Sequence, residues 1–197
     1  MLDTISALLL LLIIPGPTNT LLFRAGMMFG FSSSRRLAFI ESIAYMIQVS
    51  LWGVALLYVS AYAPWAIKII QVCAAGYLFF TSYTLWRNKN ITFGEDKDQF
   101  SWQHFFLLTL INPKGLLIVS FIAHDSTFTE LGNYVKFMVA LLFVTFTVGF
   151  AWIYLGARFK DPKQSQRTTL KINRVTALAI FCFASIIIGR LADSTFS

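Results

Sequence analysis

The sequence is poor in charged residues, which make up 13% of its 197 residues. A soluble domain carries about 25%. Hydrophobic residues make up 57% of the chain, and the mean hydropathy is +0.68. This balance excludes an ordinary soluble domain and indicates a chain whose solvent is mostly lipid. Because no polar linker is long enough to separate two folding units, we expect one integral-membrane domain over residues 1–197.

The sequence also lacks the motifs of common enzymes and nucleotide-binding proteins. It has no Gly-rich phosphate-binding loop, no H-E-x-x-H and no G-x-S-x-G. No nucleophile–base pair is visible, so we expect neither an enzyme nor a cofactor. His104 and His124 lie near the two ends of one apolar run, where surface roles are expected and no metal site is predicted. Uphill transport by such a chain must draw on an ion gradient.

Cysteine is scarce as well. Cys73 and Cys182 lie inside separate apolar runs, and neither belongs to a Cys-x-x-Cys pair. We interpret both as packing residues. A membrane thiol-redox carrier that uses the two cysteines remains an alternative.

Long apolar runs are what the chain does contain. Six of them approach the roughly 20 residues that a helix needs to cross a bilayer. Since every backbone donor must be satisfied in lipid, these runs are predicted to be helices and not strands. The runs are residues 4–23, 37–63, 64–86, 102–123, 137–157 and 172–190.

Positive charge is concentrated on one side of the predicted spans. Segments 24–36, 87–101 and 158–174 hold twelve Lys and Arg residues, whereas the opposite side holds three. This bias predicts that the three segments are cytoplasmic loops and that both termini lie outside. The net charge of +7 therefore reports orientation and predicts no nucleic-acid partner. The expected partners are the lipid bilayer and a small-molecule substrate, and a homodimer is compatible with the sequence.

The spans divide into two halves, about residues 1–98 and 99–197. Because each half has three spans, the second half enters the membrane from the opposite side, as in the inverted repeats of many secondary transporters. The first span of each half is interrupted, by PGP at 15–17 and by NPKG at 112–115. The predicted fold is an all-α membrane protein with six helices in two inverted three-helix repeats, in which helices 1 and 4 are broken at proline.

Each break exposes polar backbone within a span. Proline removes a hydrogen bond from a helix interior, and the carbonyls predicted to be freed are those of Leu11, Ile13 and Thr109. Asn112 is predicted to cap a new half-helix that begins at Pro113. The N-terminus of a half-helix suits a carboxylate. The alternative is that the prolines only kink two packed helices.

The predicted substrate-binding residues lie at the two breaks. Lys114 could hold a substrate carboxylate, form a structural ion pair with Glu41, or lie in a water-filled vestibule. The full set is Pro15, Gly16, Pro17, Asn19, Asn112, Pro113 and Lys114.

Glu41 is the second charged residue of interest. It lies about one turn inside span 2, with Tyr45 and Gln48 on the same helix face. A partly buried carboxylate there could load and release a proton. The alternative is an interfacial position near Arg35 and Arg36.

Two segments resemble a known family. "IPGPTNTLLF" resembles the PGPN-type signature in the first helix of the lysine-exporter (LysE/RhtB) family of bacterial amino-acid exporters, and "LTLINPKGLLIVSF" resembles its Asn-Pro-Lys signature in helix 4. The chain departs from the pattern at Thr18, which precedes Asn19, at Glu41, and at "IAHDSTF" after span 4.

The resemblance covers essentially the whole chain. It implies export of amino acids or small amino-acid derivatives from the cytoplasm across a bacterial inner membrane, driven by the proton-motive force. It places the family's motif residues on the same seven residues at the two breaks. Besides the redox carrier, the sequence leaves a non-transporting membrane scaffold as an alternative.

Overall fold

The computed structural model describes residues 2–87, 101–159 and 162–196, and these residues form helices without a strand among them. Residues 88–100 of the predicted cytoplasmic segment 87–101, and residues 160–161 of segment 158–174, lie outside the described residues. The helices are α1 (Leu2–Ile13), α2 (Pro17–Tyr62), α3 (Pro64–Arg87), α4 (Trp102–Leu110), α5 (Pro113–Phe121), α6 (Leu131–Ala157) and α7 (Pro162–Phe196), with a short 3₁₀ helix at Asp125–Thr127.

Four helical stretches are long and apolar enough to cross a membrane, so the chain is a membrane protein by length and composition. They are Pro17–Tyr62, Trp65–Arg87, Trp102–Phe121 and Leu131–Ala157. Two shorter apolar helices, Leu2–Ile13 and Asn173–Gly189, accompany them.

The connection between the first two predicted spans differs from the expected loop. Residues 24–36 are helical on both sides of Gly30, which alone has a non-helical conformation with φ 77° and ψ 171°. Glycine adopts positive φ without the steric cost of a Cβ. A straight helix of the length of α2 would measure about 69 Å, more than twice the apolar thickness of a bilayer, about 30 Å. Gly30 therefore divides α2 into two segments.

The core forms where α2 packs along α6 and where α3 packs along α7. The contact between α2 and α6 is close at two glycines. A Cβ on Gly26 would collide with the backbone of Ile153, and a Cβ on Gly156 would collide with the backbone of Phe23. Small residues let membrane helices approach in this way.

The two cysteines do not lie in this core. Cys73 and Cys182 are free, and their side chains are exposed on α3 and α7. The interpretation of both as interior packing residues was therefore wrong. In a membrane protein an apolar run faces lipid as readily as protein, so the run itself does not show which residues are inside.

Candidate functional site

The first predicted helix break is confirmed. Helix α1 ends at Ile13, and α2 begins at Pro17 after Gly16, whose extended conformation (φ −145°, ψ −175°) marks the N-cap. Pro17 occupies a first-turn position, where its missing N–H removes no helical hydrogen bond. Gly16 makes no side-chain cap, so the first N–H groups of α2 lack the hydrogen bond that an N-cap side chain would supply.

The second break is also confirmed, together with its predicted cap. Helix α4 ends at Leu110 and α5 begins at Pro113. The Asn112 Oδ1 atom accepts a hydrogen bond from the Lys114 backbone N–H at 3.1 Å. Asn112 is thus an N-cap of the ordinary kind, located inside an apolar stretch that is long enough to span a membrane.

The carbonyls of Leu12 and Ile14, hereafter the α1 carbonyl pair, are held by two side chains at the first break. Asn19 Nδ2 donates to Leu12 O at 2.7 Å and to Ile14 O at 3.0 Å. Lys114 Nζ donates to the same two oxygens, at 3.2 Å and 2.5 Å. The prediction named the carbonyls of Leu11 and Ile13. The oxygens that receive side-chain donors are displaced by one residue, because α1 ends before Pro15 and the chain there is no longer helical.

One side chain serves the corresponding carbonyls at the second break. Gln48 Nε2 donates to Leu110 O at 2.8 Å and to Asn112 O at 2.5 Å. The carbonyl of Thr109, predicted to be freed, accepts instead from the Asn112 N–H at 3.1 Å. A local turn therefore pairs Thr109. Gln48 supplies the side-chain donor for Leu110 O and a second donor for Asn112 O, which also accepts from the Gly115 N–H at 3.3 Å.

The two breaks are joined directly through Asn112. Its Nδ2 atom lies 3.2 Å from Thr18 Oγ1 and 3.2 Å from the Tyr45 hydroxyl. An amide nitrogen carries two donors, so one side chain can serve both. Asn112, at the second break, is thereby linked to Thr18, in the first turn of the helix that follows the first break.

The side chains that connect the two breaks form a buried polar cluster, which consists of Thr18, Asn19, Tyr45, Gln48, Asn112 and Lys114. Glu41 lies inside this cluster, so the interfacial alternative is wrong. Its side chain is 2% exposed, and it interacts with the Thr18 hydroxyl and with the charge of Lys114. A Cβ on Gly149 would lie 2.9 Å from Glu41 Oε2, so α6 leaves space for the carboxylate by having glycine there. The Oε1 atom has no hydrogen-bond partner among the described residues.

Lys114 is buried too, at 6% exposed. Two opposite charges in a low-dielectric interior attract strongly, and their proximity offsets part of the desolvation cost of each. The Lys114 ammonium nevertheless makes its hydrogen bonds in the described structure to backbone carbonyls, not to a carboxylate. Its position differs from the simple Lys114–Glu41 ion pair considered from sequence.

A small cavity adjoins the breaks. Its volume is about 30 Å³, which is enough for a water molecule, whereas a benzene-sized ligand takes about 150 Å³. Tyr77 and Thr81 of α3 and Phe183 of α7 are among the residues that line it. The predicted residues that line it are Gly16, Pro17, Asn112, Pro113 and Lys114.

Two predicted residues lie beside the cavity and not in its wall. Asn19 is 2% exposed and supports the α1 carbonyl pair from α2, and Pro15 occupies the connection before Gly16. Tyr45 and Gln48 belong to the cluster although neither was among the predicted site residues. Their spacing from Glu41, on one helix face, was the sequence signal for them.

The histidines lie away from this cluster. His104, in the first turn of α4, and His124, before the 3₁₀ helix, are both exposed. Comparison with family models, with curated proteins and with solved structures gives no match.

Proposed function

We propose that this chain is a secondary transporter that exports amino acids or small amino-acid derivatives from the bacterial cytoplasm across the inner membrane. The observation that carries the proposal is the meeting of two broken helices at a buried polar cluster. Polar and ionisable groups at membrane depth are costly and usually mark a substrate or ion pathway. Broken helices occur within membranes where the freed backbone lines such a site.

The proposed architecture has six spans in two inverted repeats. The first span comprises α1 and the first segment of α2, and the fourth comprises α4 and α5. The packing supports this division. In the two halves α1 corresponds to α4, and the second segment of α2 corresponds to α6. A contact of α1 with α6 should therefore have a counterpart between α4 and the second segment of α2. α1 and α6 are in contact, and so are α2 and α4. The pairing of α3 with α7 is unchanged by the exchange, and so is that of the second segment of α2 with α6, which meet where Gly149 faces Ala38 and Glu41.

The substrate class follows from the ends of the half-helices. The uncapped N-terminus of α2 carries N–H donors and partial positive charge, which favour a carboxylate. The signatures at the two breaks resemble those of the lysine-exporter family and point to the same class. In the described structure the cavity is too small for an amino acid, so we propose that substrate binding widens it.

Proton coupling is assigned to Glu41. A carboxylate at this depth, beside the charge of Lys114, changes the net charge of the site when it takes up a proton. Such a change alters the affinity for a charged substrate. Inward proton movement down its gradient would then drive outward substrate movement, with the basic segments in the cytoplasm and both termini outside.

The experiment uses purified protein in liposomes loaded with a mixture of the proteinogenic amino acids. An inward proton gradient is applied, and the released amino acids are identified by mass spectrometry. We expect saturable release of one or a few amino acids. Asn112→Ala should lower it by about tenfold or more, because the hydrogen bonds to Thr18 and Tyr45 and the cap of α5 are lost. Asn133→Ala, at the start of α6, is the matched control.

Two other functions predict different results. A redox carrier would lose activity when Cys73 and Cys182 are both replaced by serine, whereas the proposed exporter keeps it. A scaffold would release nothing under any gradient. Absence of saturable release for every amino acid and for dipeptide-derived amino acids in loaded cells would refute export.

A further inference from the structure

The α1 carbonyl pair has the features of a cation site. Leu12 and Ile14 lie at the C-terminal end of α1, where unpaired carbonyls and the helix dipole give partial negative charge. Both oxygens converge on one atom, Lys114 Nζ. An ammonium group is therefore what this pair of oxygens holds in the described structure.

The site does not depend on Lys114 for its shape. Asn19 donates independently to both carbonyls, and each carbonyl oxygen has two lone pairs. Asn19 can thus orient the two oxygens with one lone pair of each, while the other remains for a cation. The geometry would persist if the lysine ammonium left.

Lys114 reaches the site from the other half of the chain. It belongs to α5, about a hundred residues later in sequence than the carbonyls that it contacts. A Cβ on Gly16 would lie 3.3 Å from Lys114 Cε and 3.5 Å from Nζ, so the side chain fills the space directly over the first break. It also lines the small cavity, which would enlarge if the lysine side chain withdrew.

The Glu41 carboxylate is a second possible acceptor for the lysine ammonium. Glu41 is buried and interacts electrostatically with Lys114, and its Oε1 atom lacks a hydrogen-bond partner among the described residues. An ammonium that leaves the α1 carbonyl pair can therefore move toward an acceptor that is unused in the described structure. Two alternative positions are the minimum that a switch requires.

We propose that the α1 carbonyl pair is a binding site for a primary ammonium group, which Lys114 occupies in the described conformation and which the amino group of the substrate takes over on binding. The inference rests on the proposed function for the identity of that substrate. The site itself is testable without transport. Lys114 then acts as a tethered competitor that keeps the carbonyls paired while no substrate is present.

The test removes the tethered ammonium and supplies it in solution. Propylammonium contains the atoms that Lys114→Ala deletes beyond Cβ. Thermal unfolding of the purified full-length protein in detergent is followed as propylammonium is added. We expect a saturable rise in Tm of about 3 °C or more for Lys114→Ala. Wild type and the exposed-lysine control Lys136→Ala should rise much less, because Lys114 occupies the site at high effective concentration.

Two additives define the ligand. The neutral isostere 1-propanol should give no saturable rise, because it lacks the charge that the helix end favours. Sodium chloride at the same ionic strength should also give none. A saturable rise with sodium and not with propylammonium would overturn the assignment to an ammonium ligand.

A second variant keeps the test decisive if Lys114→Ala fails to fold. Lys114→Gln retains N–H donors without the charge, and propylammonium should stabilise it as well. Equal stabilisation of wild type and both variants, or stabilisation of neither variant, overturns the site. Since these are binding measurements, their failure would leave export by the wild-type protein unaffected, and failure of export would leave the binding result standing.

Discussion

Gln48 and Asn112 form the hydrogen bond that ties the second segment of α2 to the second helix break. The Gln48 Nε2 atom donates to the Asn112 carbonyl at 2.5 Å and also reaches Leu110 O. The side chain packs against Gly115, where a Cβ would collide with its amide. One glutamine therefore supplies a donor for Leu110 O and a second donor for Asn112 O beside the Gly115 N–H.

Replacement of Gln48 by leucine should destabilise the protein. The substitution keeps a similar volume but leaves Leu110 O without its side-chain donor, at a cost of about 1–3 kcal/mol for an unsatisfied group. Asn112 O loses one of its two donors and keeps the Gly115 N–H. Thermal unfolding in detergent should show a lower Tm. Gln103→Leu, on the exposed side of α4, is the control, and equal Tm values for the two variants would contradict the role of Gln48.

Gly156→Ala should weaken the packing of α2 on α6. The new methyl group would collide with the Phe23 backbone, and overpacking of this kind costs about 1–3 kcal/mol. The measurement is the unfolding transition in detergent. Gly76→Ala is matched to it, because a Cβ on Gly76 meets nothing within 4 Å, and it should leave the transition unchanged or slightly raised.

Gly30→Ala should destabilise α2 through its backbone. The residue has φ 77° and ψ 171°, a region that is almost restricted to glycine and costs other residues about 1–3 kcal/mol. Steric collision of the new side chain is not the cause, since nothing lies within 4 Å of a Cβ built there. Gly132→Ala, with equally open surroundings but negative φ, should not lower Tm.

Glu41→Gln tests the proposed proton coupling. Glutamine has nearly the shape of glutamate but cannot exchange a proton, so we expect release from liposomes to lose its dependence on the proton gradient. Exchange of internal for external substrate should persist. Glu130→Gln, exposed before α6, should behave as wild type. Unchanged acceleration by the gradient in Glu41→Gln would show that another group carries the proton.

The main features of the fold were predictable because they depend on local chemistry. Apolar length predicts helices in lipid, and proline with an asparagine cap predicts where a helix stops and restarts. The confirmed break at Asn112 and Pro113 is such a case. The same local reasoning failed for residues 24–36, where polar and charged residues indicated a loop, but the chain needs only Gly30 to interrupt the helix.

The sequence by itself therefore determined that this is a helical membrane protein with two helices broken at proline, since these properties arise within a few residues of each break. Only the tertiary structure decided which groups satisfy those breaks. The donors Lys114 and Gln48 lie about a hundred and about sixty residues from the carbonyls that they reach. Which buried donor faces which freed acceptor depends on how α1, α2 and α5 pack, and no local pattern encodes that pairing.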